Sequence, residues 1–295
     1  MNPVELRGKM KTIRNIYHVV KSMETLATMK IMKLRGDAEK QKLYAQSLFE
    51  LLLEIFPMLL NIEPENALLS HGSHDKRALL LVITSDRGFS GNMNALVTSQ
   101  AKHFLQSHPN SSSIVIGRKA SAVFEKEGLS QTAIIDLRLD TISFPHAQTI
   151  TSDLVKSYLK GYFDSVHIAY MSFENILKQH PVIIKLLPIE KKPTLEKTSK
   201  YIFPIESYEI VPDTVSVFKA IVRKYLDAML FRVLLEAAAS EQAIRMVSMK
   251  SASDNAEQVF NQVKLKYQKM RQEKITRELI ELSSFTQASR RQDYP

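Results

Sequence analysis

The stretch Leu234-Leu-Glu-Ala-Ala-Ala-Ser-Glu-Gln-Ala-Ile-Arg-Met-Val-Ser-Met-Lys-Ser-Ala-Ser-Asp-Asn255 decides the fold. It is dense in small residues, from Ala237, Ala238, Ala239 and Ser240 through Ala243 to Ser251, Ala252 and Ser253. Small side chains let two helix axes approach toward the short end of their range, about 8 Å. Glu241, Gln242, Arg245 and Lys250 predict a polar face opposite. Outward from this stretch nothing breaks the helix. The last glycine is Gly161, and no proline falls between Pro212 and Pro295, which leaves about 80 residues rich in good helix formers. Apolar residues recur at three and four, at Phe218, Val222, Tyr225 and Met229, then at Phe260, Val263, Tyr267 and Met270. The pattern predicts one helix from about Val215 to about Ser283, on the order of 100 Å long. A helix of that length without caps belongs to a coiled coil or a shaft.

The other end of the chain carries a matching pattern. Ile13, Ile16, Val20, Met23 and Ala27 draw one stripe along a helix that starts near Pro3 and runs to just before Pro57. Two long helices at opposite ends pair when the chain returns between them, as an antiparallel coiled coil with a domain inserted. The middle supplies the domain. Apolar runs at 78–83, 113–116, 133–137, 166–171 and 182–187 alternate with helical stretches at 94–105, 119–126 and 148–162. That alternation predicts a small Rossmann-like α/β domain with a mostly parallel sheet. The expected organisation is a long helix over 1–60, a linker over 61–76, the α/β domain over 77–205, a linker over 206–214, a second long helix over 215–285 and a tail over 286–295.

Composition narrows the chemistry. The 295 residues hold no cysteine, which excludes disulfides, thiolate metal sites and a cysteine nucleophile. Net charge is +9, concentrated in the two ends with mixed signs, as solvated helix faces would be. The apolar run 48–62 is too short and too charged to span a bilayer. His71, His74 and Asp75 share a polar loop whose spacing reads as solvent-facing rather than metal-binding. The methionines at 23, 29, 32, 246, 249 and 270 lie at helical spacing and suit core filling or an adaptable interface.

The segment Ser85-Asp-Arg-Gly-Phe-Ser-Gly-Asn92 joins an apolar run to a helical one, where α/β enzymes place phosphates or a nucleophile. A nucleophile elbow needs Gly-x-Ser-x-Gly, and the fifth position of this frame is Asn92. A hydrolase centred on Ser90 would also need an acid and a histidine, for which Asp136, Asp140, His146 and His167 are available. Neither a Walker loop nor a dinucleotide fingerprint is present. The simpler expectation is a corner in which Gly88 and Gly91 turn the backbone and Ser90 or Asn92 caps the helix.

Ala239-Ser-Glu-Gln-Ala-Ile-Arg-Met-Val-Ser-Met-Lys250 and Ser253-Asp-Asn255 closely resemble the C-terminal signature of the gamma subunit of F-type ATP synthases. Glu5-Leu-Arg-Gly-Lys-Met-Lys-Thr-Ile-Arg-Asn15 and Lys21-Ser-Met-Glu24 resemble that family's first helix, and Ser85-Asp-Arg-Gly88 its central turn. Tyr267-x-Lys-x-Arg-Gln272 and Ile275-Thr-x-Glu-Leu279 resemble its last helical turns. The chain departs from the family at Phe89-Ser90-Gly91-Asn92, where Leu-Cys-Gly-Gly is common, and at Thr28–Lys33, where one arginine is lost.

The resemblance implies a rotor shaft without a catalytic site or cofactor. Its coiled coil would stand inside a ring of three alpha and three beta subunits, with its α/β domain beside epsilon on the membrane c-ring. It also implies a peripheral position on the cytoplasmic face of a bacterial inner membrane. By the same resemblance Arg271 and Gln272 contact a beta-subunit loop and Arg245 makes a second contact. Thr276 and Glu278 are coupling positions, and Met23 faces the ring. A basic coiled coil that binds nucleic acid is the rival from charge alone.

Overall fold

The structure is a computed structural model that describes residues 3–59, 77–127, 129, 131–189 and 209–292. His71, His74 and Asp75, residues 190–205 of the expected α/β domain and residues 206–208 of the expected linker lie outside it. In chain order the elements are α1 (Pro3–Leu59), β1 (Ala78–Ile83), α2 (Met93–Ser107), β2 (Ser112–Ile116), α3 (Arg118–Glu127) and β3 (Gln131–Ile135). A 3-10 turn (Leu139–Thr141) follows, then α4 (Phe144–Leu159), β4 (Ser165–Phe173), β5 (Gln179–Leu187) and α5 (Thr214–Gln292). Both long end helices form, and α5 runs nine residues past Ser283, into the expected tail. No Gly or Pro intervenes before Pro295, so no breaker stops it.

The five strands make one sheet in the order β3-β2-β1-β4-β5. The pairs β1–β2, β1–β4 and β2–β3 are parallel, and only β4–β5 is antiparallel. β1 is buried along its whole length, as a central strand covered on both faces must be. Leu80 and Val82 face α2 and α3, with Met93, Val97, Ala101 and Phe124. Leu79, Leu81 and Ile83 face the other way, into a core shared with Leu154 of α4, Leu52 and Ile55 of α1, and Phe218 to Ala238 of α5. The start of α4 came four residues earlier than periodicity suggested, because Ser143 and His146 form a capping box ahead of the apolar stripe. β3 lies two residues upstream of the expected run, and the displaced Leu137 instead turns back to donate its N–H to the Ile135 carbonyl.

Contacts divide the chain into two units, with cuts inside both end helices. The larger unit is Ala27–Arg245; the smaller joins Met1–Leu26 to Met246–Pro295. In the larger unit α1 and α5 run antiparallel: Ile55 shares a groove with Val217 and Ile221, Phe49 meets Tyr225 at 5.5 Å between ring centres, and Leu34 shares a groove with Leu235. In the smaller unit Met10 and Arg14 share a groove with Phe260, and Pro3 lies beside Met270, so the helices are antiparallel there too. Among the covered positions on α5, Met246, Met249, Ser253, Ala256, Phe260, Val263, Tyr267 and Met270 alternate strictly by three and four, with Ser248 and Ala252 half-buried beside them. This is the seam of a two-stranded coiled coil.

The facing seam on α1 is Leu6, Met10, Ile13, Tyr17, Val20 and Glu24. The expected stripe was therefore one residue out of phase in its middle. Ile16 is 51% exposed, and Tyr17 takes its place in the seam. Either set alternates threes and fours, so spacing alone could not choose between them.

Candidate functional site

The Ser85–Asn92 corner is built from backbone geometry and hydroxyl groups. Gly91 has φ +54°, but the other left-handed residue is Phe89 (φ +64°) and not Gly88. The Ser85 Oγ donates to the Arg87 carbonyl, and it also lies 3.0 Å from the Ser90 Oγ. The Asn94 amide donates to both hydroxyls. Neither Ser90 nor Asn92 caps α2 with its side chain, contrary to expectation, because Ser90 points into this cluster. Ser90 is 3% exposed, and its partners Ser85 and Asn94 are not bases. A nucleophile needs an adjacent base and access to substrate; Ser90 has neither. Asp86 makes a bidentate pair with Arg118, which tethers the corner to the start of α3. The hydrogen bonds from Arg118 hold the Asp86 carboxyl below its ordinary range. Gly117 is obligatory beside it, since at φ +98° an added Cβ would lie 2.4 Å from the Thr84 carbonyl oxygen.

Among the described residues no group of three or more His, Asp or Glu side chains is placed to hold a metal ion. No described helix is long and apolar enough to cross a membrane. The remaining candidates lie on the helices. Arg271, Gln272, Thr276 and Glu278 sit together on α5 beyond Met270, where every side chain from 271 to 284 is exposed. Ile275, Leu279, Ile280 and Leu282 are exposed there as well. Glu278 pairs with Lys274 at 3.6 Å. Met23 is half-buried beside the seam of the smaller unit.

Arg245 belongs to the larger unit and is not a free surface arginine. It bonds to Glu241 one turn back, and its side chain is only 12% exposed. The polar face expected at 241–250 is therefore partly interior: Glu241 is 5% and Gln242 2% exposed. Burial raises the Glu241 carboxyl above its ordinary value, and Arg245 opposes that.

Two further groups of side chains were not anticipated. The Glu236 carboxylate accepts hydrogen bonds from the Ser172 hydroxyl (2.7 Å), the Phe173 N–H (3.2 Å) and the Tyr170 hydroxyl (3.3 Å), and the Ser240 hydroxyl donates to the Met171 carbonyl (2.9 Å). These bonds dock α5 on the end of β4. Burial there, with the Glu236 charge close by, pushes the Tyr170 hydroxyl up to about 12. The second group is Lys30, Arg138 and Asp140, which joins α1 to the 3-10 turn across 110 positions of sequence. No local pattern signals either group.

The family model described as ATP synthase matches residues 2–288. The ATP synthase gamma chain of Desulforamulus reducens is 30% identical over 94% of this chain and 95% of its own length. That of Renibacterium salmoninarum is 32% identical over 94% of each. Among solved structures, a chain from the Tetrahymena thermophila mitochondrial ATP synthase central stalk and c-ring superposes with a TM-score of 0.59 at 21% identity, covering 80% of this chain and 99% of that one. A chain of the Euglena gracilis mitochondrial ATP synthase in rotational state 3 gives 0.51 at 18% identity, over 90% and 96%. A seam along both ends, a buried serine corner and a match along nearly the whole length lead to one conclusion: the chain belongs to the ATP synthase gamma-chain family.

Proposed function

We propose that the chain is the central rotor shaft of an F-type ATP synthase and couples ion flow through a membrane c-ring to ATP synthesis and hydrolysis in a ring of alpha and beta subunits. The observation that carries this is the free end of α5. A single helix in water is marginal, and every side chain from 271 to 284 lies exposed, Ile275, Leu279 and Ile280 among them. Such a segment suits a sleeve supplied by other subunits. Catalysis then lies on the beta subunits. The shaft acts by binding their conformations unequally, and shifts each by no more than its difference in affinity. By linkage the nucleotide state pushes back on the shaft with the same coupling free energy.

In this reading Arg271, Gln272, Thr276 and Glu278 meet the ring from α5 and Met23 meets it from α1. Arg245 can do so only in competition with Glu241. Epsilon and the c-ring hold the sheet-bearing part on the cytoplasmic face of a bacterial inner membrane, where the shaft is peripheral. Affinity purification of the tagged chain from native membranes tests the assignment. One copy per hexamer with alpha, beta and epsilon is expected, and recovery without alpha or beta would refute it. Truncation before Lys269 is expected to weaken coupled ATP synthesis.

A further inference from the structure

The polar cluster around Asp140 links three elements that are remote in sequence. Asp140 Oδ2 lies 3.3 Å from Lys30 Nζ on α1 and 2.9 Å from Arg138 Nη2, and Arg138 Nε adds a bond of 3.1 Å to Oδ1. The Asp140 side chain is 16% exposed, while Lys30 and Arg138 keep 43% and 45% of theirs in solvent. Burial alone would raise the Asp140 carboxyl, but the bonds from Arg138 and Lys30 outweigh it and hold it below its ordinary value. Burial raises the Glu241 carboxyl of α5 and the pairing with Arg245 opposes that, while Asp140 and Lys30 act on it in opposite senses. Lys30, Asp140, Phe231 and Leu235 line one groove, so α1, α5 and the turn after β3 meet at one level of the larger unit. Arg245, at its edge, is the residue at which the contacts of that unit end on α5.

α5 is already fixed to the sheet through Glu236 and Ser240. The Lys30–Asp140 pair gives α1 a directional tie to the same body. Apolar packing resists separation but permits small sliding, whereas a charged hydrogen bond fixes a distance and an angle. Asp140 is the shielded member, and losing Lys30 would leave its carboxylate held by Arg138 alone, with α1 untied.

We propose that the Lys30–Asp140–Arg138 group, backed by Glu241–Arg245, is a torque clamp that locks both end helices to the sheet so that they turn as one body. The clamp rests on the shaft reading.

The test uses the assembled enzyme in membrane vesicles, with ATP hydrolysis and ATP-driven ion pumping measured side by side. Asp140→Lys is expected to keep subunit stoichiometry and most hydrolysis while lowering ions pumped per ATP at least threefold. The charge swap Lys30→Asp with Asp140→Lys is expected to recover at least half of that loss, and Asp140→Asn to give an intermediate value. Unchanged pumping per ATP in Asp140→Lys overturns the clamp. So does a loss of assembly in every variant with no recovery in the swap, because that marks a purely structural role. Failure of the unmodified chain to co-purify with a ring sinks the shaft reading instead, which keeps the two failures apart.

Discussion

Two parts of α5 share one helix and have opposite surroundings. In the larger unit Leu226, Leu230, Val233, Leu234 and Ala237–Ala239 are fully buried, and even Ser240, Glu241 and Gln242 are interior. In the smaller unit most positions off the seam are exposed, and from 271 to 284 every side chain is. The helix backbone itself does not distinguish the two parts. The distinction comes from side-chain size and from what lies opposite: Ala and Ser where neighbours crowd every face, and an apolar residue every three or four positions where one partner suffices. A helix buried all round is a core element, while one covered along a single seam leaves its other faces for partners.

The largest expected break in this comparison is Leu234→Ala in the larger unit. It should cost about 2–5 kcal/mol, read as an earlier denaturant midpoint for the sheet-bearing unit. Gly117→Ala should cost ~1–3 kcal/mol from forced backbone strain, with the same signal. A similar truncation in the seam, Val263→Ala, should cost only about 1 kcal/mol, and hydrogen exchange should place the loss in residues 246–270. A result for Val263→Ala as large as for Leu234→Ala would remove the distinction between the two regions.

A smaller effect depends on pH. Burial raises the Asp227 carboxyl against the opposing pull of Arg223, Thr151 and Gln148. A carboxyl raised on folding takes up protons in the folded state, so its contribution worsens as pH rises from the unfolded value through the folded one. Asp227→Asn should therefore stabilise the chain near pH 7, and the gain should vanish below about pH 4. Asp140 runs the other way. Its lowered carboxyl stabilises at neutral pH, and that contribution is lost as pH falls through the lowered value. The smallest effect belongs to the free end: Arg271→Ala should change the stability of the isolated chain by less than about 0.5 kcal/mol while reducing coupled synthesis in the assembled enzyme.

How far the sequence speaks depends on whether a feature is periodic. The end helices, all five strands and their mostly parallel sheet follow from apolar stripes and runs and, for α5, from the absence of Gly and Pro between Pro212 and Pro295. The phase of the α1 seam does not, because Ile16 and Tyr17 both fit an alternation of three and four and only the partner helix chooses. The corner at Ser85–Asn92 was legible as a corner. That Phe89 and not Gly88 would take the left-handed conformation was not, since bulky side chains rarely adopt it. The ties through Glu236 and through Lys30–Asp140 were silent because residues brought together by the return of the chain leave no local spacing. Arg245 is visible as a motif residue, but its Glu241 partner reads as surface because both sit on the polar side of an isolated helix.

The strict three-four alternation from Met246 to Met270 gives the coil a hand. An α-helix has 3.6 residues per turn and the seam repeats every 3.5, so the stripe drifts by about 20° per heptad unless the two strands wind around each other to the left. A rope laid in one direction tightens when twisted one way and opens when twisted the other. A left-handed two-stranded coil therefore resists torsion unequally in the two senses.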